Sequence, residues 1–503
     1  MKQRFVRRPR PDDVPSGGRF SRVGRFSRGS GFSRGSRFSR GGGYSPGGSR
    51  FRGGGRFRGG GEGTIRQRIV RLTLVVGVIV LALLLLLSTC GGNKAAKTKD
   101  DGAAKKAVTN VVDRAPRLSV PDGYDAARGW EIVDGSPDFA LAHDTNRLAY
   151  LERAGADRFR LRTLDPETGE RGWDGEPWRP LFTPDRFPRL LSVAKDDQEY
   201  FVTWSYGKLD PDELRPADSI VSLDIYNAAD GSRLRVETPW VDAPKVSAAG
   251  PAILISDGKA TSAVIDPETG DVVKVPPGSL GYPKGCKECR KLTEVHGVTA
   301  KGLLVGGAKE FWVRGGWFSR QSAPKDTDTA SGVPASMASG YILAKWQKKR
   351  AAKDARTHEV WAVHDAANGK VVAQVRCRKP AINPAEDPRL IASPDGRFLI
   401  AGRLAFDLDA KKAYCFEEAD GTQPLTLTTV SDDGTAYGAV SARNTADALA
   451  GGGNPVMVDL TTATPEALAT NVRLPSAEAS GVGLFRWTDS KDRPHLIGYP
   501  RRG

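Results

Sequence analysis

"LDPETGERGW", Leu164 to Trp173, holds a pattern that returns along much of the chain. An apolar residue leads into Asp165, Thr168-Gly169 follows three residues on, and Trp173 stands four beyond the glycine. Asp and Gly so placed suit a hairpin tip: the carboxylate accepts from backbone N–H groups ahead of it, and glycine accepts a positive φ. Related turns recur as "LDIYNAADGSRL" from Leu223, "IDPETGD" from Ile265, "HDAANGK" from His364, "FDLDAKK" from Phe406 and "VDLTTATPEA" from Val458. Between them lies a second set, "AHDTNRLAYL" (Ala142), "AKDDQEYFVTW" (Ala194), "SAAGPAILIS" (Ser247), "TAKGLLVGG" (Thr299), "SPDGRFLIAG" (Ser393) and "SDDGTAYGAV" (Ser431). Asp165, Asp224, Asp266, Asp365, Asp407 and Asp459 fall mostly 42–59 residues apart, with one gap of 99.

Short apolar strands flank every turn, and four such strands per repeat of about 40–50 residues are the mark of a β-propeller. One blade cannot bury both faces; a ring of blades buries them against each other. Six units are countable, Gly481–Pro500 supplies a seventh, and a strand near Gly129–Val133 completes it. The expectation is an all-β propeller of six to eight blades, seven favoured, over residues 128–503. The 99-residue gap then reads as an insertion at about 308–357 between the second and third strands of one blade. It ends in "YILAKWQKKRAAKDAR" (Tyr341–Arg356), rich in helix formers. A basic helix carrying Lys345, Trp346, Lys348, Lys349, Arg350, Lys353 and Arg356, with Trp317 upstream, is the candidate partner-binding element, since long insertions in compact folds are often functional.

In a four-stranded blade A-B-C-D the A–B and C–D turns share one face, and the B–C loops and blade-to-blade connectors share the other. Cys286, Cys289, Cys377 and Cys415 fall in or beside connectors, so cysteines and insertion belong on the same face. "GCKECR" (Gly285–Arg290) is C-x-x-C, open to three readings: a redox pair, half of a zinc site completed by Cys377 and Cys415 or His296, or a cystine. Outside a membrane, disulfides are the favoured state, and three pairings of four cysteines are possible. His143, His296, His358, His364 and His495 form no metal or catalytic motif, and His364 reads as turn geometry. Nothing assigns a catalytic, cofactor-binding or metal-binding residue.

"LDPETGERGW", "VIDPETGDVVKV" and "VHDAANGKVVAQV" resemble the repeats of the quinoprotein (PQQ-like) propeller superfamily, and the "SPDG" units are similar to WD40-like and TolB-like propellers. The resemblance covers most of residues 130–475 and implies the propeller fold. In catalytic quinoproteins it would further imply docking tryptophans around the ring, adjacent half-cystines and calcium-binding carboxylates. Here only Asp165, Thr168, Gly169 and Trp173 fit the docking pattern; the tryptophan position is Lys274 after Gly270 and Ala373 after Gly369, and no two cysteines are adjacent. The expectation is therefore a propeller without a cofactor.

Charge is concentrated at the other end. Residues 1–68 carry 18 Lys+Arg against three acids, leaving 57 basic and 56 acidic residues for the rest of the chain. "FSR" recurs at Phe20, Phe26, Phe32 and Phe38, and "RGGG" at Arg52 and Arg58, with no periodicity that could build a core, so residues 1–68 should be disordered. Arg22, Arg28, Arg34, Arg40, Arg52 and Arg58 would contact anionic lipid headgroups; RGG-like tracts also suit nucleic acid. From Leu72 to Asn93 no residue is charged, close to the ~20 residues that span a bilayer as a helix. The arginines before it place the N-terminus inside. This gives a transmembrane helix at 69–92, a linker at 93–127 and the propeller outside the cytoplasmic membrane. "LSTC" (Leu87–Cys90) also resembles a lipobox, which would make Cys90 a lipidation site. The functional expectation is a single-pass, non-enzymatic binding or scaffolding protein with an extracytoplasmic protein or cell-wall partner. The alternatives are a quinone- or dithiol-dependent redox enzyme, and nucleic-acid or lipid binding through the tail.

Overall fold

A computed structural model describes residues 118–181, 187–208, 219–380, 387–417 and 423–502. The Arg-rich tail, the expected anchor and Cys90 lie outside the described residues. Among those described, no helix is long and apolar enough to cross a membrane.

Eight sheets follow one another along the chain, each an antiparallel meander. Blades 1 to 7 cover residues 139–174, 189–239, 245–275, 294–313, 333–378, 391–415 and 425–467. Blade 8 takes its inner three strands from 477–500, and Trp130–Val133 closes it as the outermost strand, pairing Trp130 with Gly498 and Val133 with His495. The ring is thus fastened by both ends of the domain. Its core is eight apolar clusters, one at each blade-to-blade seam, from Ala149 and Leu161 against Phe201 and Tyr226 between blades 1 and 2 round to Ile132 and Leu484 against Leu148 and Tyr150 between blades 8 and 1. Eight seams for eight blades is what a closed ring requires.

The count of eight corrects the favoured seven. The 99-residue gap holds a whole blade, because blade 4 has only three strands and its C–D turn, Arg314-Gly315-Gly316-Trp317, lacks the repeated Asp. Its fourth strand shrinks to one bridge, Trp312 to Phe318. The expected insertion at 308–357 is therefore ordinary propeller. It contains the third strand of blade 4 (Phe311–Val313) and the first two of blade 5 (Val333–Ala338 and Tyr341–Gln347). The expected basic helix is absent too. Tyr341–Gln347 is a strand with Ile342, Leu343, Ala344 and Trp346 buried, since two seams to fill outweigh a weak helical preference. The fold also begins before the expected 128: Tyr124 is 1% exposed, bridges Arg501 and donates to Glu478.

The opening motif now has a mechanism. Asp165 Oδ1 accepts from Glu167 N (2.8 Å) and Thr168 N (3.1 Å), and Gly169, at φ 73°, donates back to the Asp165 carbonyl. Asp266, Asp365, Asp407 and Asp459 cap their turns in the same manner. In blade 2 the capping residue is Asn227; Asp224 is instead a buried strand residue held by Arg233 and Arg235.

Trp173 crosses to the next blade, where its Nε1 donates to the Ala228 carbonyl and its ring covers Gly231. Two more tryptophans do the same. Trp130 of blade 8 donates to Pro166 and covers Gly169; Trp317 of blade 4 donates to Ala366 and covers Gly369. A Cβ on Gly169 would lie 2.5 Å from the Trp130 ring, so these turn glycines are fixed by contact as well as by φ. Between blades 2 and 3 Leu234 fills the equivalent place over Gly270.

Candidate functional site

The B–C loops and connectors form the face opposite these capped turns, and the chemistry left over from packing gathers there. Residues 348–357 join the second and third strands of blade 5 as consecutive turns organised around Asp354. Its carboxylate takes Lys348 Nζ at 2.6 Å and Arg376 at 3.1 Å, and its carbonyl accepts from His358 N. The hydrogen bond from Lys348 holds the Asp354 carboxyl below the usual carboxylate range, with Arg376 adding to it. Lys349, Arg350, Lys353 and Arg356 remain exposed, and among the described residues no carboxylate pairs with them.

The other expected binding residues are placed differently. Trp346 is fully buried and donates from Nε1 to His364, Lys345 lies over the Trp361 ring at 5.7 Å, Lys348 is spent on Asp354, and Trp317 docks on blade 5. The exposed basic set is therefore four residues on a turn loop, with no aromatic among them.

The cysteines lie on the same face. Cys286 is bonded to Cys289, within the connector from blade 3 to blade 4, and Cys377 to Cys415, linking the outer strands of blades 5 and 6. The two pairs do not converge on one centre. Each has a carboxylate beside it, Glu310 and Glu417. Glu310 Oε2 stands 2.9 Å from Cys286 Sγ, but Arg320 already grips both its oxygens, at 2.8 and 3.0 Å. Cys286 and Cys289 are buried at the blade 3–4 seam, so no exchange partner reaches the sulfurs without local opening.

A second concentration lies at the seam between blades 8 and 1, where sequence reasoning found nothing. His495 Nδ1 meets Glu131 at 2.5 Å, and its Nε2 stands 3.4 Å from Asp489. Backbone N–H groups of Arg493 and Lys491, with the Arg493 guanidinium, hold the Asp489 carboxyl far below the usual range. Beside His495 a cavity of 130 Å³ opens among Ile132, Phe139, Tyr150, Trp487 and Leu496, with Arg486 and Thr488 also in its lining. Glu131 and His495 are 364 residues apart, so only ring closure reveals them as neighbours.

No known family's profile matches the chain, and no curated protein matches it. Solved structures that resemble it include the crystal structure of the computationally designed Ika8 protein, at 12% identity over 76% of this chain and 99% of that one, with a TM-score of 0.37. The eight-bladed architecture stands on the strand order itself.

Proposed function

We propose that this chain is a single-pass membrane protein, N-terminus inside, that displays its propeller outside the cytoplasmic membrane as a non-enzymatic binding module. In this reading its repeats belong with the quinoprotein and WD40-like propellers by architecture, without a quinone. The partner is an anionic component of the cell envelope, polymer or protein, and the Arg-rich tail contacts anionic lipid on the inner side. One observation carries the binding assignment: Lys349, Arg350, Lys353 and Arg356 project from a loop that Asp354 holds through its carboxylate and carbonyl, and no carboxylate among the described residues pairs with them. A rigid loop loses little conformational freedom on binding, and unpaired cations bring long-range attraction. The two cystines favour the oxidising side of a membrane.

Charge reversal at all four positions (K349E/R350E/K353E/R356E) tests this. The full chain in lipid nanodiscs should bind isolated envelope polyanion with a strong salt dependence, and the variant should lose at least tenfold in affinity at unchanged thermal midpoint. Equal binding by both proteins would remove the loop from the account.

A further inference from the structure

The cavity at the closing seam has the lining of a small-molecule site. Ile132, Phe139, Tyr150 and Leu496 make one side apolar, and Trp487, its ring tilted against His495 at 4.6 Å, makes another. Its volume of 130 Å³ is close to the ~150 Å³ of an engineered apolar cavity that takes up benzene. It is well short of the roughly 300 Å³ at which drug-sized pockets begin. An occupant is therefore limited to about one six-membered ring.

The polar groups around it are unequally committed. Glu131 is engaged by His495, and Asp489 by Arg493 and two backbone N–H groups. Asp138, whose charge acts on Arg486, is bridged to Arg189 at 3.2 Å. Arg486 is the cation left over in the lining: its guanidinium lies over the Phe139 ring at 4.8 Å and pairs with no carboxylate among the described residues. Arg486 is exposed at the mouth of the cavity, where a ligand's anionic group can reach it from solvent. Arginine's planar fork is matched to a carboxylate, which it can hold by two parallel hydrogen bonds.

We propose that this cavity binds a small organic monocarboxylate with a compact apolar body, the carboxylate on Arg486 and the body between Tyr150, Trp487 and Leu496. The ligand would touch the N-terminal closing strand through Ile132 and the C-terminal strands through Trp487 and Leu496, so its binding would also tighten the ring.

Benzoate and its neutral counterpart benzyl alcohol are the probes, titrated into the full chain in nanodiscs by calorimetry with thermal midpoints in parallel. Benzoate should bind saturably and raise the midpoint, with benzyl alcohol at least tenfold weaker. Arg486→Gln should cut benzoate binding at least tenfold and leave benzyl alcohol unchanged. Arg314→Gln, on the exposed turn of blade 4 and outside the cavity lining, should not weaken benzoate, and it controls for general loss of positive charge. Benzoate that fails to bind, binds no better than benzyl alcohol, or binds the Arg486→Gln protein equally well overturns the proposal.

Discussion

Lowering the pH from 7 to 4 should destabilise the propeller through one buried group, His364. The side chain is fully buried between blades 4 and 5, with Trp317 stacked on it at 5.9 Å, and Phe311 and Trp346 at 5.9 and 5.7 Å. Nδ1 lies 3.0 Å from the Gly369 carbonyl, and Nε2 3.2 Å from the Trp346 indole nitrogen. An indole N–H can only donate, so Nε2 must accept and the proton sits on Nδ1. A second proton would set two N–H groups against each other in an apolar pocket. Burial pushes the pKa from 6.5 down to about 4, with the Gly369 hydrogen bond working weakly against it. The unfolded chain therefore binds more protons than the folded one between these two values. Stability from this group is complete above 6.5 and is lost as pH falls toward 4. Some 2.5 units at about 1.4 kcal/mol each give a loss on the order of 3 kcal/mol. Histidine-selective ¹³C labelling, with His364 assigned by a His364→Gln variant, gives the direct readout. The His364 resonance should hold its neutral position at pH 5, and the variant should show a flatter dependence of thermal midpoint on pH. A His364 resonance titrating near 6.5, or parallel midpoint curves for the two proteins, would mean that the pocket does not exclude the second proton.

Two further outcomes follow from packing. Trp130→Ala should cost about 3–5 kcal/mol, the usual range for a buried tryptophan; Trp173→Ala should cost less because its ring is only partly buried. The order of their urea midpoints checks this, and the reverse order would mean that the closing strand contributes little. Replacing Cys377 and Cys415 by Ser opens a loop of 38 residues and should cost about 4 kcal/mol in the loop-entropy estimate, against about 2 for Cys286 and Cys289. Thermal midpoints of the two double variants should fall in that order.

The turns were legible because their chemistry is local. An Asp that caps its own backbone and a glycine at positive φ occupy five consecutive residues, so the pattern is visible wherever the chain uses it. Blade 4 escaped because it closes the hairpin with a turn one residue shorter, Gly316 N donating to the Val313 carbonyl, and needs no Asp, and with it went the count of blades. Asp224 misled in the opposite direction: it has the right neighbours in sequence but is salt-bridged within its sheet, while Asn227 does the capping. Tyr341–Arg356 reads as helix because Ala, Lys, Leu and Arg favour one, yet Trp346 and Leu343 are claimed by two different seams, a demand that only tertiary structure sets. Docking by Trp130 and Trp317 could have been sought as a tryptophan in the outer strand or C–D turn just before the next repeat, at no fixed spacing. The cavity at the last seam had no such signal. Its walls come from both ends of the domain, and apolar residues in strands read as core everywhere.

Single-cysteine labelling tests whether the propeller and the Arg-rich tail lie on opposite sides of the membrane, as proposed. Ser490, exposed in the B–C loop of blade 8, and Ser30, in the tail, are replaced by Cys in separate full-length proteins and treated in intact cells with a membrane-impermeant maleimide. The Ser490→Cys protein should label well above the unsubstituted chain, and the Ser30→Cys protein only after the membrane is breached. Labelling of Ser30→Cys in intact cells, with Ser490→Cys protected, would contradict it.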